Sequence, residues 1–438
     1  SNYNNAIASD DDLEIGDANI DIISVADGLR GKDSITISSG NININATGDG
    51  MKSNNTEDTS KGYVLIKDGV INITSGEDGI QAETSATITG GDLTISTGGG
   101  SENGSQSSSW GNFGNGMFGG NANNNAEEDT VSAKAIKGTV LVKIDGGNIN
   151  IDSADDSIHS NGNVEINGGN INIISGDDGI HGDSTIDIND GEIAITKSYE
   201  GIEAETININ NGNINIVASD DGINAAGGND GSSINGRPGQ NMFASSGNGI
   251  INFNGGKVVI DASGDGIDAN GSIYLKDGTV IVNGPENNGN GALDYDREFV
   301  ISGGLFLAAG SSGMAQSPSA TSSQNSINVF TSISANTILH IEDESGNELI
   351  TFAPSKSVGS IVISSPNIKT GTTYKIYTGG ESTGTATDGL YSEGTYSGGI
   401  EGDSFTISST VTNVGGSSGG FGGPGGGRGN QGGMPPRP

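Results

Sequence analysis

Acidic side chains recur at one position of a repeated motif in this chain. Asp or Glu stands two residues before an aliphatic residue, with a glycine between them except at Ser157, at Asp27, Asp49, Asp78, Asp156, Asp178, Glu200, Asp221 and Asp265. A second acid precedes it at Glu77, Asp155, Asp177 and Asp220. Most copies are about 22 residues apart. If the repeats stack, neighbouring carboxylates lie about 4.8 Å apart and repel by roughly 3 kcal/mol per pair at an effective dielectric constant of about 20.

Calcium is the counter-charge that this pattern predicts. Ca²⁺ takes oxygen ligands at about 2.3–2.6 Å, so one ion between two repeats can bridge carboxylates about one repeat apart. Mg²⁺ fits less well because it requires shorter, nearly octahedral coordination. We therefore predict several Ca²⁺ ions held by the twelve acids. The alternative is that Asp serves only as a turn residue, as Asp-Gly often does.

The residue after the repeated aliphatic residue is predicted to point outward. Arg30, Lys32 and Lys52 gather in the first repeats, Gln81 follows, and His159 and His181 lie in the middle. Together with Trp110 of a Gly/Asn-rich insertion, they are the candidate polysaccharide contacts. The alternatives are a solvated sheet face, and for Trp110 a residue that only pins its loop. The two histidines are expected to stack at the surface, since a transition-metal site would lack a clear third ligand.

The repeat itself predicts the fold. Residues 156–177 contain three short runs of alternating apolar and polar residues, and turns rich in Gly and Asn separate them. Three strands in 22 residues predict an all-β protein, a right-handed parallel β-helix with about 22 residues per rung. We predict this body for residues 1–297, with insertions at about 98–130 and 227–248. Terminal rungs and a small β-rich cap are expected at 298–412, and a disordered Gly/Pro-rich tail at 413–438.

Composition excludes several classes of partner. The net charge is −36, from 54 acidic and 18 basic residues, so the chain should be repelled by nucleic acid. No stretch is apolar enough to insert into a membrane, and the absence of cysteine excludes disulfides and thiol chemistry. The Asn/Gly/Thr/Ser-rich, acidic surface favours an extracellular or cell-surface bacterial protein whose leader has been removed. The oligomeric state stays open.

The motif run also resembles a known family. The repeats DDGIHG at Asp177–Gly182 and DDGINA at Asp220–Ala225, with Asn-Gly-Gly turns between strands, are similar to a family of secreted bacterial carbohydrate-binding, polysaccharide-lyase-like proteins associated with cellulose degraders. The resemblance covers roughly residues 1–300. It implies a right-handed parallel β-helix, bound Ca²⁺, and affinity for cellulose and for acidic sugars such as polygalacturonate.

Two functions follow as hypotheses. The first is calcium-dependent, non-catalytic binding of plant cell-wall polysaccharide. The second is a pectate-lyase-type enzyme, in which Ca²⁺ acidifies a uronate and Arg30 or Lys52 removes the proton. Such a base needs a lowered pKa, and acidic surroundings act in the opposite direction, so binding is favoured. An adhesin or ice-binding solenoid is disfavoured because a flat threonine lattice is absent.

Overall fold

The computed structural model describes residues 5–104, 131–226 and 247–415. Within these residues the fold is all-β, with a single 3-10 turn at Ser101–Asn103 and no α-helix. No helix among them is long and apolar enough to cross a membrane. The predicted all-β class is confirmed. Most of the two predicted insertions, including Trp110, and most of the predicted tail lie outside the described residues.

Each repeat contributes a first strand that begins at the repeated aliphatic residue or, in the last repeat, one residue after it. The first strands are Ile7–Ser9, Leu29–Gly31, Met51–Ser53, Ile80–Ala82, Ile136–Gly138, Ile158–Ser160, Ile180–Ile188, Ile202–Ile209, Ile223–Ala225, Ile267–Ala269 and Asp294–Tyr295. The strands that begin at Ile180 and Ile202 continue through the second strand of their repeats.

The other repeats have a separate second strand. These are Asp12–Ile15, Ser34–Ile37, Tyr63–Ile66, Ser85–Ile88, Leu141–Ile144, Asn163–Ile166, Gly249–Phe253, Gly271–Leu275 and Glu298–Ile301. First and second strands together form one 20-stranded sheet.

A third strand closes each repeat and belongs to a second long sheet. The third strands are Asn19–Ser24, Asn41–Ala46, Val70–Ser75, Asp92–Thr97, Asn148–Ser153, Asn170–Ser175, Glu192–Lys197, Asn213–Ala218, Lys257–Ala262, Thr279–Asn283 and Leu305–Gly310. All the pairings between repeats are parallel, and Ile158 is the register partner of Ile180, as Ile171 is of Ile193. Equivalent residues of successive repeats therefore lie side by side.

The chain beyond residue 310 pairs mostly antiparallel. Ser326–Ile333, Val358–Ser364 and Val411–Gly415 extend the second long sheet. A separate six-stranded sheet contains Leu339–Asp343, Glu348–Phe352, Thr373–Thr378, Thr385–Thr387, Leu390–Ser392 and Ile400–Thr406, and Glu381–Ser382 pairs with Tyr396–Ser397. The predicted domain boundaries at 298 and 413 stay predictions.

The core consists of aliphatic columns that run across the repeats. The expected columns Ile158, Ile180, Ile202, Ile223 and Ile171, Ile193, Ile214, Val258 are all fully or almost fully buried. A Val, Ile or Phe side chain buried in this way contributes about 1.5–3 kcal/mol of apolar transfer free energy. Alternation of apolar and polar residues thus places one face of each strand in this core and the other outside it.

Amide side chains form a second kind of column on the outside. The Nδ2 atom of Asn167 donates to Asp145 at 2.7 Å, Asn189 donates to Asn167 at 2.7 Å, and Asn210 donates to Asn189 at 2.7 Å. Each amide both donates and accepts along the stack. The many Asn residues of the sequence therefore include some that bond one repeat to the next.

Two classes of glycine have different physical reasons. In the turns between second and third strands, glycine adopts a left-handed conformation, with φ of 106° at Gly169 and 128° at Gly191, which favours glycine. The glycine of the acid-Gly-Ile motif has no such φ. A Cβ on Gly179 would lie 2.6 Å from the carbonyl oxygen of Gly201 and 2.8 Å from Cδ1 of Ile195. That glycine permits close stacking of successive repeats.

This steric constraint predicts a position-specific cost of adding a methyl group. Gly179→Ala should lower the free energy of unfolding by about 1–3 kcal/mol, because the repeats must separate to admit the Cβ. Gly146→Ala is the matched control, since its nearest atom would be the Thr89 carbonyl oxygen at 3.4 Å, and its change should stay within about 0.5 kcal/mol. Thermal and urea denaturation measure both. Equal destabilisation of the two variants would contradict the close-stacking explanation.

Candidate metal centre and carbohydrate-binding surface

Most ladder acids use one carboxylate oxygen to accept a backbone N–H from the next repeat. The backbone N–H of Asp78 donates to Oδ1 of Asp49 at 3.0 Å, that of Asp178 donates to Asp156 at 3.2 Å, and that of Glu200 donates to Asp178 at 3.1 Å. The same bond joins Asp49 to Asp27, Asp265 to Asp221, and Gly291 to Asp265. One carboxylate oxygen of these acids therefore has a structural role at the turn, and the role of the other oxygen is a separate question.

In the N-terminal repeats the second oxygen faces a lysine of the outward column. Nζ of Lys52 lies 2.5 Å from Oδ2 of Asp49, and Nζ of Lys137 lies 3.4 Å from Oδ2 of Asp78. Burial alone would lower the pKa of Lys52, but the hydrogen bond and charge of Asp49 raise it. Asp27 and Glu77 are half-buried. Among the residues that the structure describes, Asp27, Asp49, Glu77 and Asp78 belong to no group of three possible metal ligands.

The first group made only of carboxylates, Asp155, Asp156 and Asp177, draws on the repeats of Ile158 and Ile180, and its ligand oxygens lie within 4.8 Å of one another. Lys134 donates to Asp155 at 2.8 Å and to Asp156 at 2.7 Å. Although burial opposes its charge, Lys134 and then His159 hold the pKa of Asp156 well below its usual value.

Asp177 is the exception within this group. Its Oδ1 is buried and has no hydrogen-bond partner among the described residues, and only 8% of the residue is exposed. Burial first, and then the charges of Asp178 and Asp156, raise the pKa of Asp177 to about 10. A buried acceptor without a partner is costly unless a cation or a proton satisfies it.

The second oxygen-only group, Asp221, Asp265 and Asp268, also spans 4.8 Å or less. Among residues 5–104, 131–226 and 247–415, no lysine, arginine or histidine forms a salt bridge with these three carboxylates. Burial raises the pKa of Asp265 to about 6. Burial, and then the charge of Asp265, raise the pKa of Asp268 to about 8. The pKa of Asp221 is raised well above its usual value by burial and then by Asp220 and Asp265.

Asp268 was not among the ligands predicted from the sequence. Sequence reasoning placed it only in the outward column, one position after Ile267. The signal was present, because Asp268 follows Asp265 by three residues, the spacing that also joins Asp49 to Lys52 and Asp156 to His159. Of the remaining predicted ligands, Glu200 accepts from Nδ2 of Asn224 at 3.0 Å, and Asp220 is half-buried beside Asp221.

The two oxygen-only groups fit calcium. Ca²⁺–oxygen distances of about 2.3–2.6 Å allow two ligand oxygens to be almost 5 Å apart across one ion, and both groups satisfy this limit. Each group draws on two successive repeats. Asp155, Asp156 and Asp177, or Asp221, Asp265 and Asp268, would hold the ion, and its charge would offset the repulsion among the carboxylates.

The middle of the outward column is less exposed than expected. His159 and His181 stack, with ring centroids 4.9 Å apart and an interplanar angle of 18°, but they are only 8% and 6% exposed. The expectation of surface histidines was wrong, because the rings pack among the ladder carboxylates. His159 Nδ1 lies 2.8 Å from Oδ2 of Asp156. Little of either ring is left for a polysaccharide to contact.

The N-terminal end of this column remains accessible. Lys52 is the register partner of both Arg30 and Gln81, so the three side chains lie in one column. Arg30, Lys52 and Gln81 are half-buried, and the side chain of Lys32 is 43% exposed, with its Nζ 4.0 Å from Glu57. These four predicted contacts are brought to one region, whereas the two histidines lie several repeats away.

Fold and site together define an acidic all-β protein of stacked parallel repeats, with carboxylate groups gathered at one position of the repeat. A sequence model of the family described as "Carbohydrate-binding domain-containing protein" matches residues 1–179 and 177–413. The chain therefore belongs to this family, which supports the predicted binding of carbohydrate. No curated protein and no solved structure matches the chain.

Lys134 allows a direct test of charge compensation. We expect Lys134→Gln to destabilise the protein by about 3–5 kcal/mol in chelator, because it leaves buried carboxylates without their cation. The matched control is Lys143→Gln, whose partially exposed lysine lies 3.4 Å from Asp145 and 3.3 Å from Glu165; its loss should change stability far less, because solvent screens an exposed ion pair. Denaturation curves in EDTA measure both. A Lys134 variant as stable as the control would show that its ion pairs do not support the ladder.

Proposed function

We propose that this protein is a calcium-dependent, non-catalytic binder of plant cell-wall polysaccharide, with cellulose and acidic sugars such as polygalacturonate as its ligands. The observation that carries the calcium part is the group Asp221, Asp265 and Asp268, three partly or largely buried carboxylates without a cationic partner among the described residues. Membership of a carbohydrate-binding family supports the polysaccharide part.

We also propose that the body is a right-handed parallel β-helix. Parallel pairing of three strands per repeat, in register from one repeat to the next, supports this arrangement. The right hand follows from the general rule for crossovers between parallel strands. A body of this kind presents long, flat sheet faces, and a neutral glucan chain such as cellulose is an extended polymer that suits such a face.

An acidic polysaccharide needs a different place on a protein of charge −36. The column of Arg30, Lys52 and Gln81, with Lys32 beside it, offers cationic and hydrogen-bonding groups. We propose that uronate carboxylates approach this column and that bound Ca²⁺ bridges further carboxylates to the acid ladder. Because this binding uses Ca²⁺ as a bridge in addition to a few basic side chains, it should depend on calcium.

The alternative function, β-elimination of uronic-acid polymers, requires a neutral lysine or arginine as base. Lys52 is held by Asp49 and its pKa is raised rather than lowered. That environment disfavours proton abstraction by Lys52. Binding without cleavage is therefore the function we propose, at an extracellular or cell-surface location where plant polysaccharide is met.

Removal of calcium should lower the stability of the protein, and the Asp268→Asn variant should depend less on calcium. We expect Ca²⁺ to raise the melting temperature, by mass action, with about 2.7 kcal/mol gained at one hundred times the dissociation constant. Asp268→Asn should be at least as stable as the unmodified protein in EDTA, because one repelling charge is gone. In calcium it should be less stable, because one ligand is lost.

Asp277→Asn is the control for that experiment, since Asp277 is an exposed acid before Gly278 and lies outside both groups. Its melting temperature should respond to calcium as the unmodified protein does. Calorimetric titration with Ca²⁺ gives the number of sites. An unchanged melting temperature on addition of EDTA would show that the ladder acids serve only as turn residues.

The basic column should discriminate between polymers. We expect the double variant Arg30→Gln/Lys32→Gln to bind polygalacturonate at least about tenfold more weakly, equivalent to 1.4 kcal/mol, and to bind cellulose unchanged. The double variant Lys276→Gln/Lys369→Gln, which removes two exposed lysines outside this column, is the charge-matched control. Affinity electrophoresis and cellulose pull-down, each with calcium and with EDTA, measure the two activities. Equal loss for both polymers would misplace the site, and release of an unsaturated, ultraviolet-absorbing product would favour the lyase alternative.

A further inference from the structure

The described residues contain two nitrogen-containing groups of possible metal ligands, Asp156/His159/His181 and Asp178/His181/Glu203. In the first group, Lys134 and His159 both bond to Oδ2 of Asp156, at 2.7 Å and 2.8 Å, so the second group is the candidate site. Asp178, His181 and Glu203 place one ligand atom each within 4.8 Å of the others. They are 3%, 6% and 3% exposed. Asp178 and His181 belong to one repeat, and Glu203 is the register partner of His181 on the next. Two repeats thus bring an imidazole and two carboxylates to one buried point.

The distances at this point differ from those of an ordinary ion pair. Nδ1 of His181 lies 3.3 Å from Oδ2 of Asp178 and 3.2 Å from Oε2 of Glu203. One N–H shared between two carboxylates bonds less strongly to each, and charge-assisted hydrogen bonds are usually about 2.7–2.9 Å long. His159 and Asp156, one repeat earlier, do make such a bond at 2.8 Å. Tetrahedral metal sites with bonds of about 2.0–2.1 Å place neighbouring ligand atoms roughly 3.3 Å apart.

The other ring nitrogen provides an independent observation. Nε2 of His181 lies 3.2 Å from Oδ1 of Asp183. Metal-binding histidines commonly donate their second N–H to a carboxylate, which fixes the tautomer and leaves the first nitrogen for the ion. The stacked ring of His159 further fixes the plane of the His181 ring. His181 is therefore oriented as a metal-binding histidine is.

From this geometry we propose that Asp178, His181 and Glu203 form a site for one transition-metal dication of the zinc class. Imidazole is a ligand of Zn²⁺, Cu²⁺ and Ni²⁺, whereas Ca²⁺ takes oxygen ligands. The site is therefore chemically distinct from the oxygen-only groups proposed for calcium, and it does not depend on them. Because Glu203 lies on the next repeat, the ion joins two repeats in the middle of the body.

The chain is well suited to a test, because it contains three histidines and no cysteine. Calorimetric titration of the whole protein with Zn²⁺, after chelation and then saturation with millimolar calcium, should show one equivalent bound. His181→Gln and Glu203→Gln should weaken binding by about a hundredfold or more. Asp183→Asn, which changes only the carboxylate beside Nε2 of His181, should weaken it by about 10–100-fold. His159→Gln is the matched control, one repeat away in the same column, and should still bind one equivalent.

Binding that persists in His181→Gln, or that is lost equally in His159→Gln, would overturn this ligand assignment. No zinc binding by the unmodified protein in calcium would overturn the site itself. If the variants fail to fold, the visible spectrum of the cobalt-loaded unmodified protein decides. Intense bands of a four-coordinate ion support the site, and the weak bands of a six-coordinate ion overturn it.

Discussion

Carboxylates that bond to the backbone of the next repeat are the interaction on which the rest of this structure depends. The N–H of Asp178 needs an acceptor at the turn, and Asp156 on the preceding repeat supplies one oxygen. Bonds of this kind fix the register between repeats at the turn. The cost is a column of buried negative charge at about the spacing of neighbouring strands.

The protein meets that cost differently along its length. Lysines face the acids of the first repeats, as Lys52 faces Asp49, and imidazole faces them in the middle, as His159 faces Asp156. Towards the C-terminal repeats the same outward column supplies acids, such as Asp268, in place of cations. Charge compensation by side chains thus ends before the group Asp221, Asp265 and Asp268, so one repeated backbone geometry carries three kinds of electrostatic environment.

This gradient also connects structure to the proposed function. Cations at the N-terminal end make that region the place where an anionic polymer is repelled least. Uncompensated carboxylates nearer the other end are where we propose that metal binds, and bound dications would reduce the net charge of the whole body. Calcium held there would affect both stability and the electrostatic field that a polyanionic sugar meets, although the proposed site lies several repeats away from Arg30.

The sequence by itself determined the repeat, the all-β class and the core columns, because a fixed period with alternating apolar residues allows few arrangements. It also located the ladder acids, since each acid occupies the same position of the repeated motif. Tertiary structure decided which acids are compensated. Lys134 reaches Asp155 and Asp156 from about one repeat away, and Asp268 and Glu203 join metal-competent groups through neighbouring repeats. Burial of His181 was likewise decided by packing, because alternation gives the side of a strand on which a residue lies but not what covers that side.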